Sequence, residues 1–597
     1  MRNEKAITLV ALIITIIVLL LLAGISIGTL MGESGILAKA GKAKEETKKA
    51  EYQEELKIIG LGLQPDRKIY NWSNQEYMNI YEEKIEKDNI FEGYKNIRQF
   101  TNVNSKEIII EVITKEGWYY WVTENNVEYK GTKEEVEYPI INETDIYASL
   151  NGNTLAFFAS KEEAEKFADT EEHLYPNIRG EIFEKEGLNL PNTPWINELN
   201  QIQTINFVDE IVPLDMSCYF SDLTQLTKIE NIHNLKTDRV TNMYALFFDC
   251  HNLTSLNLSS FNTENVTNMN LMFYNCSKLT SLNVSKFNTS NVTNMESLFK
   301  FCGSIQSLDL RNWDTRKNTD MTSMFEGCEK LEQINWTQKF NTSEVYNMAQ
   351  LFFNCSSLKQ IDLSMFDTSK VEWMNSMFKG CTQLTSLDVS NFDVSNVTNM
   401  SSMFYNCENL TELNLNNFNP SNVIDLYGMF VGCAKLTTLD LSSFSTGKAE
   451  TMEVMFSGCT NLTSIILSDN FKTNKVENMS YMFNACHNLA LVDVSKFDTS
   501  NVKYMNFMFN QCYKLEIIDV SKFDTTNVTN MEGIFADCYE VKELNLVNFN
   551  TKKVTNMNSM FFSCIKLTKV LVGDNWEEST QNTNMFFNCS ISNVTKV

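Results

Sequence analysis

Histidine is nearly missing from this chain: four stand among 597 residues, His173, His233, His251 and His487. Imidazole is the commonest general base and metal ligand near neutral pH, so its scarcity removes most hydrolytic and metal-centre designs. His251 and His487 each come directly after a regularly spaced cysteine, but they are nine such cysteines apart. No nucleophile–base spacing, phosphate-cradling glycine loop or cluster of metal ligands runs along the chain. Carboxylates are abundant, and abundance alone does not make a paired-acid site. The sequence is therefore read as that of a non-enzyme that needs no cofactor. Basic residues are short as well, 50 Lys and Arg against 75 Asp and Glu, for a net charge of −25. Of this, −15 falls in residues 1–215 and −10 in residues 216–597. Without a basic stripe, nucleic acid is excluded as a partner. Proline is rare too: there are seven, and five of them (Pro139, Pro176, Pro191, Pro194 and Pro213) lie in residues 139–215, which marks a junction. With 43% hydrophobic residues the chain as a whole reads as globular.

Charge is absent altogether from residues 7–30, ITLVALIITIIVLLLLAGISIGTL. That run is long enough to cross a bilayer as a helix. A six-residue leader, MRNEKA, precedes it. The stretch LAKAGKAKEETKKAEYQEELK comes after it, with Glu and Lys three or four apart, which predicts a helical stalk over residues 31–60. This layout resembles the N-terminus of type IV prepilins. The resemblance implies a leader ending at Ala6, a mature chain beginning at Ile7, and prepilin peptidase and pilus subunits as partners. Ala6 stands where that family has Gly, and Ala11 where it has the Glu that helps subunits enter a pilus. The alternative is a plain uncleaved anchor. A conventionally cleaved signal peptide fits less well, because the apolar run exceeds the usual length.

Residues 61–138 read as a small α+β domain. NQEYMNIYEEKIEKD predicts a helix, and KEIIIEVITKEGWYYWVTENNVEYKG predicts two or three antiparallel strands with a turn at Glu116-Gly117. In the junction, DIYASLNGNTLAFFAS predicts a hairpin turning at Asn151-Gly152. INELNQIQTINFVDEIVP ends in a strand-like run suited to cap the remainder of the chain.

Residues 216–597 are one phrase written again and again. Cysteines mark it at 250, 276, 302, 328, 355, 381, 407, 433, 459, 486, 512, 538, 564 and 589. The spacing is 26, with 27 twice and 25 at the end, and Leu223 fills the cysteine place one unit earlier. Cys218 alone lies outside the register. Counted from each cysteine, Leu or its like recurs at +3, +6 and +8, an aromatic at +11, Val at +16, Met at +19 and Met-Phe at +22 and +23. LTSLDLS alternates and predicts a strand, while TSNVTNMxxMF has apolar spacings of three to four and predicts a capped helical turn. One strand and one turn cannot bury their own faces, but stacked copies can. The expected fold class is an α/β solenoid of about fifteen coils.

The phrase LxxLxLxxF resembles the leucine-rich repeat, with Phe in place of the usual Asn. The full phrase NVTNMxxMFxxCxxLTSLDLSxFDTS resembles the repeat of BspA-like leucine-rich-repeat surface proteins of bacteria. That resemblance implies right-handed β-α coils. It also implies an adhesin-like binding protein on the bacterial cell surface, whose ligand is a protein or glycan on host or neighbouring cells.

Three columns of the repeat carry candidate roles. The cysteine column can be disulfides, buried thiols or metal ligands; a regular ladder gives each cysteine two equal neighbours and no convergence, which favours buried thiols. The Asn-x-Thr triplets, such as Asn265-Val266-Thr267 and Asn291-Val292-Thr293, match glycosylation acceptors, but they equally suit bonds to backbone at turns. Position +7 is Asp or Asn in most coils and points outward, with Asp309, Asp362, Asp388, Asp440, Asp493 and Asp519 as candidate ligand-binding residues. A solvated polar face, a ligand surface or a calcium surface would each account for that column. The polar face is interrupted where Ile466 takes +7, Leu491 and Ile517 take +5, and Leu571 takes +7 near the end. Apolar groups on a polar face mark a candidate contact patch.

Overall fold

A computed structural model describes residues 48, 49, 56, 94–101, 108–114, 118–123, 127–132, 146–175 and 194–597. The chain divides into two compact units, Met1–Glu143 and Thr144–Val597. The leader, the apolar run 7–30 with Ala6 and Ile7, most of the stalk and the helix expected near residues 74–88 lie outside the described residues. Among the described residues no helix is long and apolar enough to cross a membrane.

The first unit contains a four-stranded antiparallel sheet of β1 (Tyr94–Thr101), β2 (Ile108–Thr114), β3 (Trp118–Val122) and β4 (Val127–Thr132), in that order. The last three are the strands that the alternating pattern predicts. β1 carries no such signal, since YKNIRQFT has no clean period of two. Val112, Tyr120, Val122 and Val127 are buried.

The second unit opens with the expected hairpin, β5 (Tyr147–Asn151) and β6 (Thr154–Phe158). Gly152 takes φ +57° in its turn, a conformation that costs glycine nothing. A short helix, α1 (Lys161–Phe167), and β7 (Leu174–Tyr175) come next. β6 then pairs in parallel with β8 (Thr204–Phe207), and β8 with β9 (Lys228–Glu230). β9 is also the strand of the coil that holds Leu223. The junction therefore caps the solenoid by extending the solenoid's own parallel wall. Phe157 stacks on Phe207 at 5.1 Å and meets Trp195 edge-on at 5.7 Å, which closes the apolar end.

From there the coils stack in register, Leu256 against Leu282, Leu387 against Leu413, and Leu439 against Ile465. The +3 and +6 apolar side chains, the +11 aromatics and the +19, +22 and +23 residues form one continuous buried core. The phenylalanines at +23 stack from Phe220 to Phe586, with ring centroids 5.2–6.0 Å apart.

The expected α/β character is not found, because the segment TSNVTNMxxMF forms no helix; apart from one 3-10 turn at Ile232–Asn234, the solenoid is β and turns. In the coil before Cys276, Leu271 (+21) and Asn275 (+25) take φ of +59° and +53°, and the same two columns are left-handed along the array. An α-helix cannot include such residues. Alternate N–H groups donate to the next coil instead: Met269 to Asn294 O, Leu271 to Glu296 O, Phe273 to Leu298 O and Asn275 to Lys300 O. The N–H groups between them bond within the coil, Met272 to Met269 O and Tyr274 to Leu271 O. The apolar spacing of three is that of a string of tight turns, each satisfied by its neighbour along the axis. Cys218 fits this pattern: at φ +58° it occupies the +21 column of the first coil.

Candidate binding surface on the strand face

Each coil begins from its buried cysteine. The thiol donates to the carbonyl of the phenylalanine three residues before the preceding cysteine: Cys276 to Phe247 at 3.2 Å, Cys302 to Phe273 at 3.1 Å and Cys407 to Phe378 at 3.2 Å. All fifteen cysteines are free, and all but Cys589 are buried. Burial pushes the thiols of Cys276, Cys328, Cys381 and Cys459 up to about 12. Of the three readings of this column, buried thiols are what the structure contains. A second buried column, without a signal read from the sequence, is threonine at +13. Thr263 Oγ1 donates to Asn288 O at 2.9 Å and accepts from Asn288 N–H at 2.8 Å, tying coil to coil.

The Asn-x-Thr triplets have the same structural use. The Nδ2 of Asn265 donates to Asp238 O at 2.7 Å and that of Asn291 to Glu264 O at 2.8 Å, while Thr267 and Thr293 donate to carbonyls of the preceding coil. These are turn amides bonded to backbone.

The outward column at +7 lies where its alternation places it, with exposed or half-buried side chains beside an inward +6. Its acidic members do not reach across coils toward one another. Each Oδ1 accepts the backbone N–H two residues on: Asp362 from Ser364 at 3.0 Å, Asp388 from Ser390 at 2.9 Å, Asp440 from Ser442 at 2.9 Å, Asp493 from Ser495 at 3.0 Å and Asp519 from Ser521 at 3.1 Å. Asp309 adds a two-pronged ion pair with Arg311, at 2.9 and 2.7 Å. These are Asx turns that end each strand. The hydroxyl and N–H of the following serine hold Asp388, Asp493 and Asp519 below the usual carboxylate range. The Ser364 N–H and hydroxyl do the same for Asp362, and the Arg311 guanidinium for Asp309. Among the described residues no group of three or more His, Cys, Asp or Glu stands where it could hold a metal ion.

The apolar interruptions at Ile466, Leu491 and Ile517 are different, because their side chains stand largely in solvent. Ile466, Leu491 and Ile517 are 54%, 61% and 65% exposed on three successive coils. Ile466 pairs with Asp440 across the wall, and Leu491 bridges to Ile517. Leu571 pairs with Asn545 and is half-buried. A second exposed group was missed in the sequence. Trp373 takes the +18 place usually held by Asn, and its ring meets Tyr346 at 6.1 Å, with Ile424 and Tyr427 also exposed two coils on. The break in the Asn column at Trp373 was the signal available.

No curated protein matches the chain. A family described as Mycoplasma protein of unknown function, DUF285, matches residues 214–336, 301–387, 382–490 and 478–596. Those segments span the whole repeat array, well over half of the sequence. The chain of stacked 26-residue coils, with its cysteine, phenylalanine and left-handed columns, therefore belongs to the DUF285 family.

Proposed function

We propose that this is an exported binding protein of the BspA-like kind, held at a bacterial cell surface, whose solenoid takes a macromolecular ligand, protein or glycan, on its strand face. The observation that carries this reading is the patch of Ile466, Leu491 and Ile517. Each is more than half exposed, on a wall whose other outward places are mostly polar, chiefly Ser, Asp and Asn. Three large aliphatic side chains held in water on adjacent rungs are unfavourable by roughly 25 cal/mol for each Å² of apolar surface, and a bound partner removes that term. The residues around them already complete their own turns, so the patch can be covered without breaking the fold. No reaction is required of such a protein. The test is a binding screen of the full chain against surface proteins and glycans, repeated with Ile466, Leu491 and Ile517 all changed to Ser. Loss of a ligand with unchanged thermal unfolding supports the reading, and undiminished binding of every ligand found removes it.

The prepilin-like residues 1–30 favour a second arrangement, a minor pilin-like subunit that displays the same solenoid on a filament. The N-terminal mass of protein from its own cells separates the two. A chain beginning at Ile7 places it among processed subunits, and one beginning at Met1 or Arg2 makes residues 7–30 a simple anchor.

A further inference from the structure

The exposed rings around Trp373 belong to the turn wall, not to the strand face, and they stand in an acidic setting. Each coil of the turn ladder starts at a buried Met or Leu, flanked by three outward places: the two residues before it and the one after. Tyr346, Trp373, Ile424 and Tyr427 occupy such places, each 38–43% exposed. Backbone bonds put their coils in direct succession. Glu372 N–H donates to Tyr346 O, Thr398 N–H to Glu372 O and Ile424 N–H to Thr398 O, at 2.9–3.0 Å. Trp373 and Tyr427 are therefore two coils apart, about 10 Å at ordinary strand spacing. In the coil between them the same places hold Thr398, Asn399 and Ser401, all smaller and polar.

From the coil of Met321 to that of Met479 these places hold six carboxylates, among them Glu372, Asp425, Glu450 and Glu453, and neither Lys nor Arg. Two places further back, Lys370 and Lys448 are turned to Glu344 at 2.6 Å and to Asn422 at 2.5 Å. Half-buried Glu453 accepts an amide N–H from Asn478 at 2.8 Å and forms no ion pair among the described residues. Burial raises the Tyr427 phenol, and Glu453, Tyr405 and Asp425 beside it add to the shift. Burial raises the Tyr346 phenol too, with Asp320, Glu296 and Glu372 beside it. Surroundings that oppose a phenolate favour a cation, and so does the face of an aromatic ring. The molecule already uses that attraction next to the patch: the Lys379 ammonium lies 5.6 Å from the Phe353 ring centre and 4.6 Å from that of Tyr405.

We propose that this stretch of the turn wall is a second binding surface, which takes a basic protein segment whose Arg or Lys side chains stack on Trp373 and Tyr427 and pair with Glu372, Glu450 and Glu453. The exposed rings call for a partner, and the charge around them sets its sign. The backbone beneath is already committed, Met374 N–H to Asn399 O and Met400 N–H to Asp425 O. Recognition is therefore by side chains and not by an added strand. The surface shares no residue with the strand-face patch and stands or falls without it.

The experiment titrates the full-length protein into a fluorescently labelled Arg-Gly repeat peptide and follows anisotropy at two salt concentrations. Saturable binding that weakens with salt is expected. The double variant Trp373→Ala with Tyr427→Ala keeps the net charge and should weaken binding by roughly tenfold. Glu372→Gln, Glu450→Gln and Glu453→Gln together should weaken it as much. Asp367→Asn, Asp498→Asn and Asp524→Asn remove the same charge elsewhere, keep their turn acceptors, and should leave binding unchanged. If the ring variant does not fold, the Gln variant set against this control decides. No saturable binding, unchanged affinity in a folded ring variant, or equal loss in the control would each overturn the proposal. Displacement of the peptide by chitohexaose, a neutral glycan, would overturn it in favour of a sugar.

Discussion

Two walls of the same coil are built to different standards. The turn ladder, from +19 to the next cysteine, donates alternate N–H groups to the following coil throughout the array, over a file of stacked phenylalanines. The strand wall is three or four residues wide and pairs in separate short ladders, among them Ser255–Asn257 with Ser281–Asn283 and Ser386–Asp388 with Glu412–Asn414. Substitutions obey that division. Met-Phe and Cys recur almost without change on the first wall, whereas +5 and +7 on the second range over Ser, Thr, Gln, Glu, Lys, Leu, Ile, Asp and Asn. One wall specifies the stacking and the other tolerates changes of side chain, which is why an exposed apolar patch can sit there.

The sharpest way to break this contrast is to cut the ring file. Phe404→Ala, in the middle of the array, should cost about 3–5 kcal/mol through its cavity and lost contacts. Hydrogen exchange should show faster opening of the coils on both sides, since stability in a repeat array is passed between neighbours. Unchanged exchange there would mean that the strand wall carries the stacking after all. Thr289→Val keeps the shape but leaves the Asp314 carbonyl without the Thr289 hydroxyl. About 1–3 kcal/mol is expected from the unmet group, read in the same exchange experiment. Gly432→Ala tests the left-handed column. At φ +69° an added Cβ would lie 2.4 Å from Asn406 Oδ1, and about 1–2 kcal/mol of destabilisation is expected in thermal unfolding.

Effects on the strand wall should be smaller and of another kind. Asp388, Asp493 and Asp519 have lowered folded values, so their contribution is present above the unfolded carboxylate value of about 3.9 and is lost as pH falls through the folded values. Changing all three to Asn retains the turn acceptor and removes the titration. The variant should therefore lose less stability than the natural chain as an acid titration is carried below about pH 4. Equal acid sensitivity would count against the Asx-turn account. Smallest of all, replacing Ile466, Leu491 and Ile517 by Ser should change stability by no more than about 0.5 kcal/mol. A larger loss would make the patch part of the fold.

The period, the strand, the inward and outward residues, the capping hairpin and the buried cysteines are all legible in the sequence, because burial imposes a period on it. The turn ladder is not legible from spacing alone. A spacing of three between Met and Met-Phe fits a helix as well as a string of turns, and what separates them is backbone handedness. That signal is present: the residue before the cysteine is Gly at 327, 380, 432 and 458, and Asn or Asp at 249, 275, 354, 406, 537 and 588. The acidic column reads as a possible ligand surface because its charge is visible and its partner is not. The partner is a backbone N–H two residues on, hinted at by the recurring serine in DLS and DVS. The exposed apolar patch is legible for a different reason, since an Ile among aspartates departs from a pattern that the other coils define.

The one-way bonding of the turn ladder has a mechanical consequence. Force applied between the two ends of the repeat array loads the bonds between coils one rung after another, because each coil is held by its neighbours alone. Such a body yields by peeling, and each released coil of 26 residues adds on the order of 90 Å of extended chain. Fifteen coils in series would make a tether that lengthens in even steps under load, a sawtooth that pulling on single molecules would record.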